Sequence, residues 1–467
     1  MEKYDLGIVG GGAGAFAAAI RADELGIKTV MINEGLPLGG TCLNVGCVPS
    51  KALLHAAEKI SQPSRYKVSG VDLSLDRADF ATAVRDEIAL VEELRREKYE
   101  QVLQGLGNVT LVEGLARFTT DRTIEVNGKI IEAEKFIIAT GSKATVPQIK
   151  GLQEAGYLTH IEALKLRELP EALAVIGAGP IGLELGQIYS RFGSKVTILQ
   201  RAKSIMPRVE TELTDRLEQS LTAEGIAIVK GAKVTKVVVE EGKKVISYNT
   251  NDGEQTVVVD EILLAAGKTP NTAALGLSEV GVEVDDKQAV VTSKTLQTSQ
   301  PNIYAVGDVT NLPLRLETTA GKEGTIAVDN AFKGTSKIVD YKAVPWAVFT
   351  DPAIGSVGYT EEEQMAEFNA CACRTVEMDK VSKALITGRT EGVIRMAIHP
   401  ETRVVMGVHI LAPNAADLIA QAMVHIRNKN TIDDIIDTLP VFPTMSEAIK
   451  IAAISFTKDV SKMSCCT

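Results

Sequence analysis

Tyr4-Asp5-Leu6-Gly7-Ile8-Val9-Gly10-Gly11-Gly12-Ala13-Gly14-Ala15 is an apolar run that ends in a glycine cluster and continues into an alanine-rich segment. Residues 4 to 9 read as a strand, and Gly10, Gly12 and Ala15 fit the spacing G-x-G-x-x-G/A. At that spacing the backbone turns tightly and lies close to a pyrophosphate, which the N-terminus of the following helix receives. The next apolar strand, Thr29 to Asn33, leads to Glu34, where an acid can bind ribose hydroxyls. Strand, glycines, helix, strand and acid in this order predict a dinucleotide-binding unit and an α/β, Rossmann-like fold.

A second copy begins at residue 173. Leu173 to Ile176 read as a strand, followed by Gly177-Ala178-Gly179-Pro180-Ile181-Gly182, a helix, and a strand from Lys195 to Leu199. This strand is followed not by an acid but by Gln200, Arg201 and Lys203. Cations there suit the 2′-phosphate of NADP and leave an NAD ribose without its carboxylate partner. The copy closes near Leu263 to Asn271, which includes Gly267.

Two apolar strands end in small-residue turns that let a dinucleotide lie close: Phe136 to Gly141, and Ile303 to Asp308, which returns the chain to the first unit. Between the copies the spacing of Phe80, Val84, Ile88, Val91 and Leu94 predicts one amphipathic core helix over roughly residues 77 to 104. From about residue 340 the pattern changes to strands at Ala347 to Phe349 and Val393 to Ile398, and helices around 414 to 428 and 445 to 454, with no glycine loop. Such a segment is most simply an oligomerisation module. The expected domains are 1–143 with 270–337, then 144–269, then 338–467.

Gly39-Gly40-Thr41-Cys42-Leu43-Asn44-Val45-Gly46-Cys47-Val48-Pro49-Ser50-Lys51 places two cysteines five positions apart in a glycine-rich run. A thiolate is the reactive form of cysteine, and a helix N-terminus or a cation promotes ionisation. Thr41, the helix expected after it and Lys51 therefore suit a redox dithiol; two unrelated buried cysteines are the plainer alternative. On a regular helix residues i and i+5 point about 140° apart. The sulfurs can meet only if the first turn is irregular or the helix begins after Cys42.

The 467 residues suffice for roughly three domains. A formal net charge of −10, with isolated short basic runs, argues against a nucleic-acid surface. No apolar stretch is long enough to span a bilayer, and the N-terminus runs into a strand without a leader pattern, so the expected location is the cytoplasm. The six cysteines fall in close pairs, which is neither a secreted disulfide framework nor a structural zinc spacing. Cys371-Ala372-Cys373 reads as a surface pair without a catalytic role or as a secondary soft-metal site. His55, His160, His399, His409 and His425 show no ligand spacing and read as structural.

Over essentially its whole length the chain resembles the flavoprotein disulfide reductases, and within them the catalytic core of mercuric reductases. Gly10, Gly12, Ala15 and Glu34 match the FAD fingerprint, Cys42 to Lys51 the redox-active dithiol segment, and Ala139 to Gly141 the turn common to the family. Gly177, Gly179 and Gly182 match the NAD(P) fingerprint, and Gly307 with Asp308 the second FAD motif. The resemblance implies an α/β chain of two Rossmann-like domains, for FAD and NADPH, and a C-terminal α+β dimerisation domain.

By the same resemblance Gly40, Thr41, Lys51, Thr140 and Gly141 join Gly10, Gly12, Ala15, Glu34, Gly307 and Asp308 at FAD. Gly177, Gly179, Gly182, Arg201, Lys203 and Gly267 would hold NADPH. Hydride would pass from NADPH to FAD and electrons on to the dithiol. Cys47 would be the charge-transfer thiolate nearest the flavin, Cys42 the exposed sulfur that meets substrate, and Lys51 would lie near flavin N5 and pair with Glu184.

Two places point to the subfamily. Glutathione and lipoamide reductases carry an acid/base histidine in a His-Pro-x-x-x-Glu segment, which here is Phe442-Pro443-Thr444-Met445-Ser446-Glu447. Phe442 cannot transfer a proton. Ser464-Cys465-Cys466-Thr467 matches the mercuric reductase tail, whose thiols deliver Hg(II) to the other subunit's dithiol. The metal ligands implied are Cys42, Cys47, Cys465 and Cys466. Two tyrosines of the better-known members are replaced by Pro180 and Phe442, which removes phenolic help with the metal and, at Pro180, an aromatic lid over the flavin. No metallochaperone-like domain is expected ahead of Met1, so small thiols or another protein would deliver the metal. The implied function is NADPH-dependent reduction of thiol-bound Hg(II) to Hg(0) by a homodimer. The alternatives are a disulfide reductase akin to dihydrolipoamide dehydrogenase and a soft-metal-sequestering protein.

Overall fold

A computed structural model describes residues 2–65 and 68–464. Strand β1 (Glu2–Val9) runs into helix α1 (Ala13–Glu24) and strand β2 (Thr29–Asn33). With β3 (Val109–Glu113), β4 (Ala116–Thr120), β5 (Thr123–Val126) and β6 (Lys129–Ile138) these strands form a sheet in the order β3-β2-β1-β6-β5-β4. Ile303–Ala305 adds to β6 in parallel, so the chain does return to its first sheet after the second nucleotide loop. The parallel part is apolar on both faces because both are covered: Leu6, Ile8 and Ile137 pack under α1 and the helix Glu317–Lys333, and Val30 and Ile32 under β4, β5 and the segment 275–309.

The second unit is a parallel four-stranded sheet ordered Ala227–Lys230, Lys195–Gln200, Ala172–Ile176, Glu261–Leu264, with a three-stranded antiparallel sheet between residues 233 and 259. The two glycine loops repeat one another in detail. A Cβ at Gly10 (φ +133°) would stand 2.3 Å from the Ala139 carbonyl oxygen, and one at Gly177 (φ +113°) 2.4 Å from that of Ala265. Only glycine lets each loop lie against the end of the neighbouring strand.

Residues 346–412 form a five-stranded antiparallel sheet ordered Trp346–Val348, Ala353–Gly358, Val405–Ala412, Val393–Ile398, Ala372–Glu377. Helices Ala415–Arg427 and Glu447–Ile454 pack on it around Val408, Ile410, Ile419 and Ile449. Among the described residues no helix is long and apolar enough to cross a membrane.

Two local expectations change. The single helix over 77–104 is helix Phe80–Arg95, capped by the Asp79 side chain, then a π-helical turn at Arg96–Glu100 and a short helix Gln101–Gly105. Its apolar stripe also buries Glu87, whose Oε2 has no hydrogen-bond partner among the described residues. Burial, only partly offset by Lys165, pushes this carboxyl up to about 7. Cys371 and Cys373 form a disulfide with Cα atoms 6.2 Å apart, and a Glu361 carboxylate oxygen lies within 4.8 Å of both sulfurs.

Candidate active site

The dithiol segment makes two helices. Helix α2 (Gly40–Val45) contains Cys42, the chain breaks at Gly46 (φ −137°, ψ −108°), and α3 (Cys47–Arg65) starts on the second cysteine. The long helix therefore does begin after Cys42, at Cys47, while Cys42 sits in a short helix of its own, and the irregularity that lets the sulfurs meet lies between the two. A Cβ on residue 46 would stand 2.8 Å from the Thr41 carbonyl oxygen, so the break needs glycine. Asn44 holds the segment in place. Its Nδ2 donates to the carbonyls of Pro37 (3.0 Å), Leu38 (3.0 Å) and Gly40 (2.9 Å), and its Oδ1 accepts from Arg95 (3.1 Å).

Both cysteines are free, Cys42 half-buried and Cys47 exposed. A hydrogen bond from Cys42 lowers the Cys47 pKa, and Lys51 acts in the same sense, against desolvation and two nearby carboxylates. Cys42 moves the opposite way: its bond to Cys47, burial and Glu317 all favour the protonated form. Of the pair, Cys47 is thus the thiol that ionises more readily, placed at the N-terminus of α3 where the helix dipole assists.

Lys51 extends from α3 to the second unit. Its Nζ lies 2.5 Å from Glu184 Oε2 and 4.5 Å from the Phe349 ring centroid. Glu184 sits in helix Pro180–Phe192, is buried, and accepts the Phe349 N–H at 2.9 Å. A neighbouring cluster joins the same three segments: Asp351 meets Arg65 (2.7 Å), Arg191 (3.0 Å) and Arg389, and its carboxyl is held below the usual range despite burial.

The nucleotide residues fall at two separate loop sets. Gly10, Gly12 and Ala15 lie around the start of α1, and Glu34 is exposed immediately after β2. Thr140 and Gly141 follow β6, where Thr140 Oγ1 donates to the Asn271 carbonyl (2.8 Å) and Asn271 Nδ2 donates back to the Thr140 carbonyl (3.0 Å). Asp308 accepts from Ser142 Oγ at 2.7 Å, while the Gly307 N–H donates to buried Glu323 at 2.6 Å. Gly40 and Thr41 begin α2 beside this loop, with Gly12 and Gly39 bridged.

At the second set Gly177, Gly179 and Gly182 surround the start of helix Pro180–Phe192, and Pro180 is its first residue. Arg201 and Lys203 are exposed just beyond the strand Lys195–Gln200, and Gly267 is exposed after Glu261–Leu264. Arg201 stands where the first copy has Glu34, and Gln200 just before it, the counterpart of Asn33, is engaged with the loop itself: Oε1 accepts the Ala178 N–H (3.2 Å) and Nε2 donates to the Ser204 carbonyl (3.0 Å). A Cβ at Gly141 or Gly179 would meet nothing within 4 Å, so both turns face open space of the kind a nucleotide diphosphate fills.

Residues 4–330 match the family described as pyridine nucleotide-disulphide oxidoreductase, and residues 344–453 match its dimerisation domain. The chain belongs to this family. It is 39% identical over 464 residues to a mercuric reductase of Staphylococcus aureus, covering 99% of this chain and 84% of that one. A mercuric reductase of Streptomyces lividans is 38% identical over 470 residues, covering 99% and 98%. Among solved structures, the Cu(II) complex of the HOCl-induced flavoprotein disulfide reductase RclA from Escherichia coli superposes with a TM-score of 0.87 at 28% identity, over 98% of this chain and 100% of that one. As a flavoprotein pyridine nucleotide-disulphide oxidoreductase the enzyme uses FAD and NAD(P)H, and both nucleotide loops are present in the fold.

Some residues at this site were not singled out by sequence. Glu317 reaches Cys42 across 275 positions, and Asn44, Tyr99 and Glu323 likewise work through tertiary contacts. Buried His160 lies 3.0 Å from Lys268 Nζ, and burial holds its imidazole down to about 4. Phe442 is half exposed in the segment before Glu447, and Cys465 and Cys466 lie outside the described residues.

Proposed function

We propose that this enzyme is a mercury(II) reductase that uses NADPH to reduce thiol-bound Hg(II) to Hg(0). The observation that carries the reading is a free dithiol, Cys42 and Cys47, on a chain alike over nearly its full length to mercuric reductases. Two soft thiolates bind a soft ion well. Phe442, in place of the histidine, leaves the C-terminal segment without a group to protonate an organic leaving thiolate.

Bound FAD would take hydride from NADPH and pass the electron pair towards the dithiol. Cys42 and Cys47 would hold the ion as a bis-thiolate. When two electrons reach the metal, both S–Hg bonds break with their pairs on sulfur, Hg(0) leaves and the dithiol is restored. Lys51, held by Glu184, acts electrostatically on Cys47 in the sense that favours its thiolate. Cys465 and Cys466 of one subunit would capture Hg(II) from a small-thiol complex and pass it to Cys42 and Cys47 of the other, by ligand exchange within a homodimer. Residues 1–143 with 270–337 serve FAD, 144–269 NADPH, and 338–467 dimerisation; Arg201 and Lys203 select NADPH by its 2′-phosphate. A cytoplasmic setting fits this supply of thiols and NADPH.

A disulfide-reductase reading is favoured by one observation, the likeness to RclA, which is described as a flavoprotein disulfide reductase. Single-turnover reoxidation separates the two. Enzyme bleached by NADPH without oxygen should regain its yellow colour rapidly with an Hg(II)–thiol complex and slowly with lipoamide or glutathione disulfide. Rapid recovery with the disulfides alone would replace the mercury assignment.

A further inference from the structure

Glu317 opens the helix Glu317–Lys333, and its Oε2 lies 2.5 Å from Cys42 Sγ. One oxygen of this carboxylate and the sulfurs of Cys42 and Cys47 all lie within 4.8 Å of one another. The Tyr99 hydroxyl stands 3.5 Å from the other oxygen, and the Tyr99 ring is itself held edge-on by Phe16, with centroids 4.7 Å apart. The carboxylate is therefore aimed at the dithiol, in the first turn of a helix whose dipole favours its charge.

Two sulfurs alone select soft ions. Two sulfurs and a carboxylate oxygen are the mixed set that borderline divalent ions accept, commonly in four-coordination with water at an open position. With metal–ligand bonds of about 2.0–2.3 Å, ligand atoms around such an ion stand roughly 3.3–3.8 Å apart. Small side-chain rotations bring the three atoms within that range.

We propose that Cys42, Cys47 and Glu317 form a three-ligand site for borderline divalent cations of the Zn(II) and Cd(II) class, with Glu317 supplying the oxygen. This deepens the proposed function and rests on the same reading of the dithiol, but its outcome differs. The ion replaces the Cys42 proton, which goes to solvent; no electron moves, and the ion occupies the place that Hg(II) requires. Glu317 thus sets which metals the dithiol accepts.

The test is a Cd(II) titration of the reduced holoenzyme in a variant with Cys371, Cys373, Cys465 and Cys466 all changed to Ser. Only Cys42 and Cys47 then remain of the six cysteines. Sulfur-to-cadmium charge-transfer absorbance should saturate at one ion per chain. Adding Glu317→Gln should weaken binding by at least the roughly 10- to 100-fold that loss of even an indirect metal-site partner costs. If Glu317→Gln fails to retain flavin, Glu317→Asp, which withdraws the oxygen by one methylene, should also weaken binding. Unchanged affinity in a flavin-loaded variant, or no band in the parent, would overturn the proposal. Glu317-dependent binding, with no Hg(0) from the enzyme that keeps all six cysteines, would leave this site standing and remove the mercury function; Hg(0) production by that enzyme with Glu317-independent binding would do the reverse.

Discussion

Lys51 Nζ stands 2.5 Å from Glu184 Oε2 across 133 positions of the chain, and the pair fastens the dithiol helix to the first helix of the second nucleotide unit. Glu184 is almost fully buried and Lys51 about a third accessible, so the pair is one charge the interior must neutralise and one that partly faces water. Replacing Lys51 by Gln should cost about 1–3 kcal/mol, the range for a buried group left short of a partner. Denaturant unfolding of the Lys51→Gln variant checks this; unchanged stability would show that the Phe349 N–H alone satisfies Glu184.

The same cation bears on the thiolate. Cys47 has its pKa lowered first by the Cys42 hydrogen bond and then by Lys51, so its stabilising contribution is fully present above the ordinary thiol value of ~8.5 and is lost as pH falls through the lower folded value. Thiolate absorbance beside oxidised flavin should therefore persist below that ordinary value. Cys42→Ala and Lys51→Gln should each move its midpoint upward in a spectrophotometric pH titration.

Asp351 gathers Arg65, Arg191 and Arg389 where the dithiol helix, the second unit and the C-terminal sheet meet. Asp351→Asn leaves largely buried guanidinium groups with less opposing charge. A loss of about 3–5 kcal/mol is expected, as for removal of one member of a buried ion cluster. Thermal or denaturant unfolding of the holoenzyme reads it directly.

Exposed Arg201 and Lys203 give the nucleotide preference a direct check. Changing both to Ala should lower kcat/KM for NADPH roughly 10- to 100-fold, the equivalent of losing one charge-assisted hydrogen bond, and leave NADH nearly unaffected. Equal losses with both nucleotides would mean that these side chains support the loop rather than read the phosphate.

Much of the framework is legible because it rests on local periodicity. β2 spans Thr29–Asn33 as the apolar run indicates, and each glycine loop lies between strand and helix. The rest is less legible for physical reasons. The break at Gly46 depends on the Thr41 carbonyl folding back onto it, a contact that cysteine spacing limits but does not locate. The π-helical turn at Arg96–Glu100 interrupts an amphipathic stripe without an apolar residue being misplaced. Glu317 looks like any solvated acid until helix Glu317–Lys333 brings it to Cys42. The Cys371–Cys373 bond spans two positions of an extended chain, where close thiols read equally as a free pair.

The measurement that tests the central claim most directly is NADPH oxidation by the purified enzyme with Hg(II) in excess thiol, with mercury vapour trapped from the headspace. The dithiol reading predicts one Hg(0) for each NADPH consumed, and loss of vapour on Cys42→Ser or Cys47→Ser. NADPH oxidation without vapour, or vapour that survives loss of either cysteine, would contradict it.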